Sequence, residues 1–314
     1  MIRTALRGRP LGSGEGTTFP GLEAPPGDWT VERSYRYCEE IVRSHYENFP
    51  VASRFVPARL RPHMWAVYAY ARSADDFADE PRFAGRRAQA LEYWDHELHR
   101  CFHGEAEHPV FIALRDTAEK CDLPITPLED LLTSFRMDLS VHRYPTYSDL
   151  RGFTRLSAEP VGRTVLYVFG YRDPSLHRYS DELCTALQQA NFWQDVAVDL
   201  ARDRIYLPAE DLHHFGVSED DLHARREHAP LRNLLRFEVA RTRSLFERGR
   251  PLCDLVGRDL GFELKLIWLA GMRVLEKLEA ARFAVFSRRP VLGLPDKAKM
   301  VTRAAAWTAG RWRR

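Results

Sequence analysis

The sequence predicts an all-α protein, and three observations carry that expectation. Beyond Trp29, apolar residues recur at the three- and four-residue spacing of helices along almost the whole chain. No convincing two-residue alternation or hairpin dipeptide marks a strand pair. Prolines stand where helices start or stop, as in Thr126-Pro127 and Glu80-Pro81. With 314 residues, 45% hydrophobic and 29% charged, the chain can bury a sizeable core, and one domain is expected rather than two.

Residues 1–28 are rich in Gly, Pro, Arg and Thr and read as a flexible leader without the apolar run of a signal peptide. The domain is expected over 29–295. Ser34 to His45 is an amphipathic helix; Tyr46 to Pro57 follows, with breaks at Pro50 and Pro57. A central helix begins near Pro62 and closes at Glu80-Pro81. Ala84 to Phe102, His108 to Cys121 and Pro127 to Val141 continue the series, the last behind the cap Thr126. Arg143 to Asp149 is a turn, and Leu150 to Gly170 a helix broken at Glu159-Pro160-Val161-Gly162. That break either lets a ligand approach or is a packing kink. Asp181 to Ala201 is a second central helix with an extended exit, Arg202 to Pro208. Ser218 opens an acidic helix start, and Pro230 to Val256, Leu260 to Phe283 and Asp296 to Trp312 complete the chain.

Two of these helices carry acids in a ladder. In WAVYAYARSADDFADE, the residues Trp65, Tyr68, Arg72, Asp75, Asp76 and Asp79 fall within an arc of about 100°. The remaining faces, with Ala66, Val67, Ala69, Ala71, Ala74, Phe77 and Ala78, are small or apolar. In QQANFWQDVAVDL, the residues Gln188, Asn191, Asp195 and Asp199 share about 80°, flanked by Ala190, Phe192, Trp193, Val196, Ala197, Val198 and Leu200. Aspartates four apart cost an isolated helix only about 0.2–0.5 kcal/mol and are ordinary on a solvated face. Two such ladders with apolar flanks point instead to acids facing a cavity, a metal or a cation.

Composition excludes other classes. A net charge of +2 without a basic run argues against nucleic acid. Cys38, Cys101, Cys121, Cys184 and Cys253 lack paired spacing, which fits small thiols in a reducing compartment rather than zinc or disulfides. No stretch approaches the ~20 apolar residues of a membrane span, so a cytoplasmic protein is expected, at most peripheral to the inner face of the membrane. His96, His99 and His103 on one charged helix read as surface in preference to a metal cluster. No Gly-rich phosphate loop or Ser/His/Asp set is legible.

Carboxylates spaced four apart suit a hard divalent cation. Mg²⁺ takes one or two protein carboxylates together with waters and phosphate oxygens. The chemistry that fits is a diphosphate ester held between the two helices, its C–O bond ionised with metal help, and the resulting carbocation kept from water by apolar and aromatic walls.

At this point the sequence resembles a known family, the head-to-head isoprenyl diphosphate synthases that make squalene, phytoene and dehydrosqualene. The likeness runs from about Tyr35 to Phe283 and rests on YAYARSADDFADE and QQANFWQDVAVDLARDRIYLP in that order. It implies an isoprenoid synthase fold with a central cavity between two aspartate-rich helices, and magnesium as cofactor. ENFPVASRF, AEPVGR and NFWQDVAVD are most similar to the bacterial hydroxysqualene synthase branch, which converts presqualene diphosphate and water to hydroxysqualene and diphosphate on the way to squalene and hopanoids. By this resemblance Asp75, Asp79, Asp195 and Asp199 hold magnesium and diphosphate, joined by Asn191 as a ligand. Gln188, Tyr68, Arg72, His45 and Asn48 contact substrate.

Three positions depart from condensing relatives: Gln194 in place of an arginine, Glu47 in place of a lysine, and Phe153 in place of a tyrosine. Together they weaken the joining of two farnesyl diphosphates and leave ionisation of an already joined substrate intact, with a presqualene diphosphate synthase as the enzyme that would hand it over. The competing readings are a condensing presqualene diphosphate, phytoene or squalene synthase, and a non-catalytic binding protein on the same fold, which would be expected to have lost carboxylates. The basic tail 296–314, with Met300, Val301, Ala304, Ala305, Trp307 and Trp312, reads equally as an amphipathic surface anchor or as a helix packed on the domain.

Overall fold

The computed structural model describes residues 26–44 and 56–310. Among them helices do almost all the work, and the only β pairing is an isolated parallel bridge between Arg143 and Ile205. The helices are α1 (Val31–Ser44), α2 (Arg61–Asp79), α3 (Arg87–Phe102), α4 (Pro109–Cys121), α5 (Thr126–Asp138), α6 (Tyr147–Ser157), α7 (Glu159–Val168), α8 (Pro174–Leu200), α9 (Ala209–Phe215), α10 (Glu219–His223), α11 (Ala229–Gly249), α12 (Leu252–Leu255), α13 (Arg258–Ala280) and α14 (Leu294–Thr308). His45, Glu47, Asn48 and Pro50 lie outside the described residues.

The helices enclose two apolar clusters. One gathers α1 to α5 around Tyr70, Trp94, Phe111 and Leu128; the other gathers α6 to α14 around Phe153, Trp193, Phe246 and Trp268. Val165 and Phe169 pack against both, so the end of α7 is the seam between them. The first acidic helix, α2, belongs to one cluster and the second, α8, to the other.

α2 begins with Pro62 in its first turn, where a missing N–H costs nothing, and ends at extended Glu80 because Pro81 disfavours a helical residue before it. Ala66, Val67, Ala69, Ala74, Phe77 and Ala78 are buried, as the apolar faces required. Tyr70 fixes the helix's rotation: its hydroxyl donates to the Leu128 carbonyl at 2.9 Å, and the Trp94 indole donates to the Tyr70 carbonyl at 3.1 Å. Such fully buried polar groups need their partners, so α2 cannot rotate without orphaning them.

α8 starts seven residues before the expected Asp181. The Asp173 carboxylate caps it by accepting from the Ser175 N–H at 2.7 Å, and Pro174 fills its first turn. Trp193 then anchors it to α11, donating to Thr242 Oγ1 at 2.8 Å. One flank departs from expectation: Val198 is 42% exposed.

The break at Pro160 is a junction between two helices. Pro160 sits in the first turn of α7, and a Cβ on Gly162 would lie 2.2 Å from Ser180 Oγ and 2.5 Å from Cys184 Sγ. What approaches the glycine is therefore α8 itself, which is the packing explanation of this motif. Pro251 similarly divides the helix expected to reach Val256 into α11 and α12.

The tail forms α14, whose Ala304 and Trp307 are buried, with Trp307 edge-on to Trp268 at 5.5 Å. That face packs on the domain, whereas Leu294 and Val301 remain exposed. No described helix is long and apolar enough to cross a membrane. The five cysteines are free, and all but half-buried Cys184 are buried.

Candidate active site

The acidic end of α2 is held by arginines. Arg72 Nη1 lies 2.9 Å from Asp75 and its Nη2 lies 2.7 Å from Asp76, one helical turn away. Asp76 is buried and also faces Arg82, just beyond the helix, at 3.6 Å, so it is held between a cation of α2 and one of the turn that follows. Burial pushes the Asp75 carboxyl above its ordinary range despite the neighbouring Arg72. Tyr68 is buried on the same stripe. Asp79, at the last turn, is more exposed and reaches across to Arg204 at 3.0 Å and Arg202 at 3.4 Å.

Those two arginines leave the C-terminal end of α8. The exit, expected to be extended from Arg202, first turns: the Asp203 N–H donates to the Leu200 carbonyl at 3.1 Å and Asp203 takes a φ of 58°. Only beyond it does the chain run on, the Ile205 N–H donating to the His142 carbonyl at 3.0 Å and the Ala209 N–H to the Tyr144 carbonyl at 2.9 Å. On α8, Asp195 pairs bidentately with Arg289, at 2.5 Å to Nε and 3.2 Å to Nη2. Asp199, one turn on, has its carboxyl pushed up to about 6 by burial and by Asp195, against the pull of Arg204. Asn191 is exposed and Gln188 half-buried on the same helix. It is the adjacent Gln189 that lies in the core, where its amide donates to the Tyr147 hydroxyl at 3.1 Å.

A fifth carboxylate joins the four. Asp138, the last residue of α5, is raised to about 7 by burial, with Arg204 opposing and Asp79, Asp75 and Asp199 reinforcing the shift. Its Oδ1 is buried without a hydrogen-bond partner among the described residues. Asp75, Asp79, Asp138 and Asp199 all feel Arg204, which makes that guanidinium the point on which α2, α5 and α8 converge. Three of the four ladder aspartates thus lie around one cation, while Asp195 pairs with Arg289.

Beside them stands an aromatic wall. Phe192 and Tyr206 stack at 3.8 Å, Phe153 lies 6.1 Å from Tyr206, and Tyr144 lies 5.8 Å from it. Phe192, Val196, Asp199, Arg204 and Tyr206 line a pocket at the end of α8. The Tyr144 hydroxyl, buried at this wall, has no hydrogen-bond partner among the described residues.

The donor set is all oxygen, which suits a hard divalent ion. Among the described residues no three His, Cys, Asp or Glu side chains converge as a ready cage. The carboxylate pairs would therefore each supply one or two ligands and leave the remainder to water and phosphate oxygens, the usual habit of Mg²⁺. The orphaned Asp138 Oδ1 supports a polar ligand here. Of the three histidines, His99 faces Asp95 and Glu129, and His103 Nδ1 bonds the His99 carbonyl.

Sequence reasoning missed Asp138, Arg204 and Arg289 as site residues. Arg204 lies inside a motif quoted above, DLARDRIYLP, and its type and place after an acidic helix were the available signal. Asp138 and Arg289 carried none. The cation absent at Gln194 is present in space, because Arg289 places a guanidinium on the neighbouring Asp195.

Residues 42–296 match the family described as squalene/phytoene synthase. A 15-cis-phytoene synthase from Synechocystis sp. is 30% identical over 85% of this chain and 83% of its own length. A hydroxysqualene synthase from Rhodopseudomonas palustris is 35% identical over 74% of this chain and 80% of its own. Among solved structures, squalene synthase HpnC from Alicyclobacillus acidocaldarius superposes with a TM-score of 0.78 at 45% identity, covering 81% of this chain and 95% of that one. A dehydrosqualene synthase bound to a ligand, at 23% identity, shares the fold with a TM-score of 0.80 over 89% of this chain and 98% of that one.

Proposed function

The chain belongs to the squalene/phytoene synthase family and has its all-α isoprenoid synthase fold, and from that premise we propose that it is a hydroxysqualene synthase. In this reading presqualene diphosphate ionises, rearranges and is captured by water, giving hydroxysqualene and diphosphate. The observation that supports the chemistry is the contact of Asp79 with Arg204, which brings the acidic end of α2 against the segment leaving the acidic end of α8. The 45% identity to squalene synthase HpnC and the 35% identity to a hydroxysqualene synthase favour this branch over the phytoene synthases at 30%. Phe153 supports it too, since a buried ring stacked near Phe192 and Tyr206 offers no hydroxyl for a condensation step.

Asp75, Asp79, Asp195, Asp199 and Asn191 would hold magnesium, which when bound neutralises the departing diphosphate. Arg204 adds a fixed positive charge where negative charge develops on the leaving oxygen. Arg72 keeps the Asp75 carboxylate oriented from below. Tyr144, Phe153, Phe192 and Tyr206 present ring faces that exclude bulk water and favour a cation. Asp138, whose buried Oδ1 has no hydrogen-bond partner among the described residues, is offered as the acceptor of the proton released when water adds. Gln188 and Tyr68 contact the substrate, and His45 and Asn48 are offered for the same role from outside the described residues. The domain is read as 29–295. The exposed Leu294 and Val301 with Lys297 on α14 form the face offered for membrane contact, which flotation with anionic vesicles would test.

The decisive experiment supplies purified protein and magnesium with presqualene diphosphate, and separately with farnesyl diphosphate or geranylgeranyl diphosphate, and identifies products by mass. Hydroxysqualene from the first alone is expected. Efficient consumption of either linear diphosphate would establish the condensing alternative. Turnover of none of the three by folded protein would favour the non-catalytic reading.

A further inference from the structure

The segment 286–291 runs from the end of α13 past α8 and is tied down along its length. The Phe286 and Ser287 N–H groups donate to Glu227 Oε1 at 3.1 and 2.9 Å, and Lys277 Nζ donates to the Val291 carbonyl at 2.6 Å. Between these anchors, the Gln194 side-chain amide of α8 donates to the Pro290 carbonyl. The result is that the preceding residue, Arg289, meets Asp195 with two parallel contacts. Gln194 and Asp195 are adjacent on α8 and grip adjacent residues of the strap. The amide bond thus sets the register of the ion pair.

We propose that Gln194 is a positioning residue that holds this strap so that Arg289 occupies Asp195 as a built-in counter-cation, making metal entry at Asp195 dependent on an accompanying anion. The inference rests on the proposed role of Asp195 as a metal ligand. A carboxylate already paired bidentately with a guanidinium attracts a second cation weakly, because the incoming ion must first displace the first. When a diphosphate arrives, its oxygens give the displaced guanidinium another partner, and the carboxylate is freed for the metal. Metal and diphosphate then help each other bind, by the reciprocity any such coupling obeys. The advantage is that the second aspartate pair stays neutralised in the empty protein and is armed only when there is a leaving group to hold.

The test uses full-length protein with Mn²⁺ as a spin probe, free ion being counted by electron paramagnetic resonance with and without inorganic pyrophosphate. For the unsubstituted protein, pyrophosphate should tighten Mn²⁺ binding within the range of about 5- to 150-fold usual for coupled sites. Arg289→Gln should bind Mn²⁺ alone at least about 5-fold more tightly and lose most of the pyrophosphate gain. Gln194→Met, which keeps the volume and removes the donor, should shift both quantities the same way by less. Arg289 is half-exposed, so its variant is expected to fold, and circular dichroism checks both. Mn²⁺ affinities of both variants equal to that of the unsubstituted protein would overturn the strap inference while leaving the proposed function standing. No Mn²⁺ uptake by the unsubstituted protein, with or without pyrophosphate, would overturn both.

Discussion

Arg204 Nη2 stands 3.0 Å from Asp79 Oδ1, although 125 residues separate them in the chain. This contact joins the last turn of α2 to the segment leaving α8, and it makes one cation common to both acidic helices. Arg204→Gln keeps a polar side chain but removes that charge. Its kcat/KM on the diphosphate substrate should fall about 10²-fold or more, the usual loss when a donor aimed at developing negative charge is removed. Steady-state kinetics beside an unchanged helical spectrum would check this, and activity within a few-fold of the parent would remove Arg204 from the site.

Asp138 differs from the four ladder aspartates in having a buried oxygen without a hydrogen-bond partner among the described residues, and burial pushes its carboxyl up to about 7. Asp138→Asn preserves the shape of the neutral acid and cannot take a proton. Turnover should drop by about 10²-fold or more, while the melting temperature at pH 7 changes little. A variant as active as the parent would show that the proton leaves by another route.

Away from the site, Glu238 on α11 is fully buried between Arg241 and Asp211, and burial pushes its carboxyl up to about 9 from 4.5. Between those two values the folded protein holds a proton that the unfolded chain has released. Its contribution to stability is therefore complete below the unfolded value and is lost as pH rises through the folded one, with a slope of at most about 1.4 kcal/mol per pH unit. Glu238→Gln is expected to flatten the melting temperature between about pH 6 and pH 9. A parallel decline in both proteins would place the responsible group elsewhere.

The contact between α8 and α11 offers a packing test. A Cβ on Gly249 would lie 2.7 Å from the Leu183 backbone nitrogen, an atom that cannot rotate away. Gly249→Ala should destabilise by about 1–3 kcal/mol even though alanine is the better helix former by about 1 kcal/mol, because overpacking against backbone outweighs local propensity. Urea unfolding would measure it, and a stabilised variant would mean that α11 can slide on α8.

Most helices were legible because their signals are local. Pro62, Pro81, Pro127 and Pro160 mark starts and stops, and the apolar faces of α2 read correctly down to Phe77 and Ala78. The start of α8 was missed because Asp173-Pro174 is a cap whose apolar followers, Leu176 and Leu183, are too sparse to stand out before Ala186. Val198 was assigned to the buried flank because it is apolar, but spacing along one helix does not say whether a neighbour arrives to cover it.

By itself the sequence determined that the chain is helical and that two helices carry aspartates on one face each, the pattern from which the proposed diphosphate and divalent-metal chemistry starts. Periodicity is a property of a dozen neighbouring residues, so these features survive in the one-dimensional string. Only the tertiary structure decided that Asp138, Arg204 and Arg289 join those faces. Their positions depend on how α5, the exit from α8 and the strap after α13 pack across two cores, and no local pattern encodes a contact made across some 60 to 125 residues.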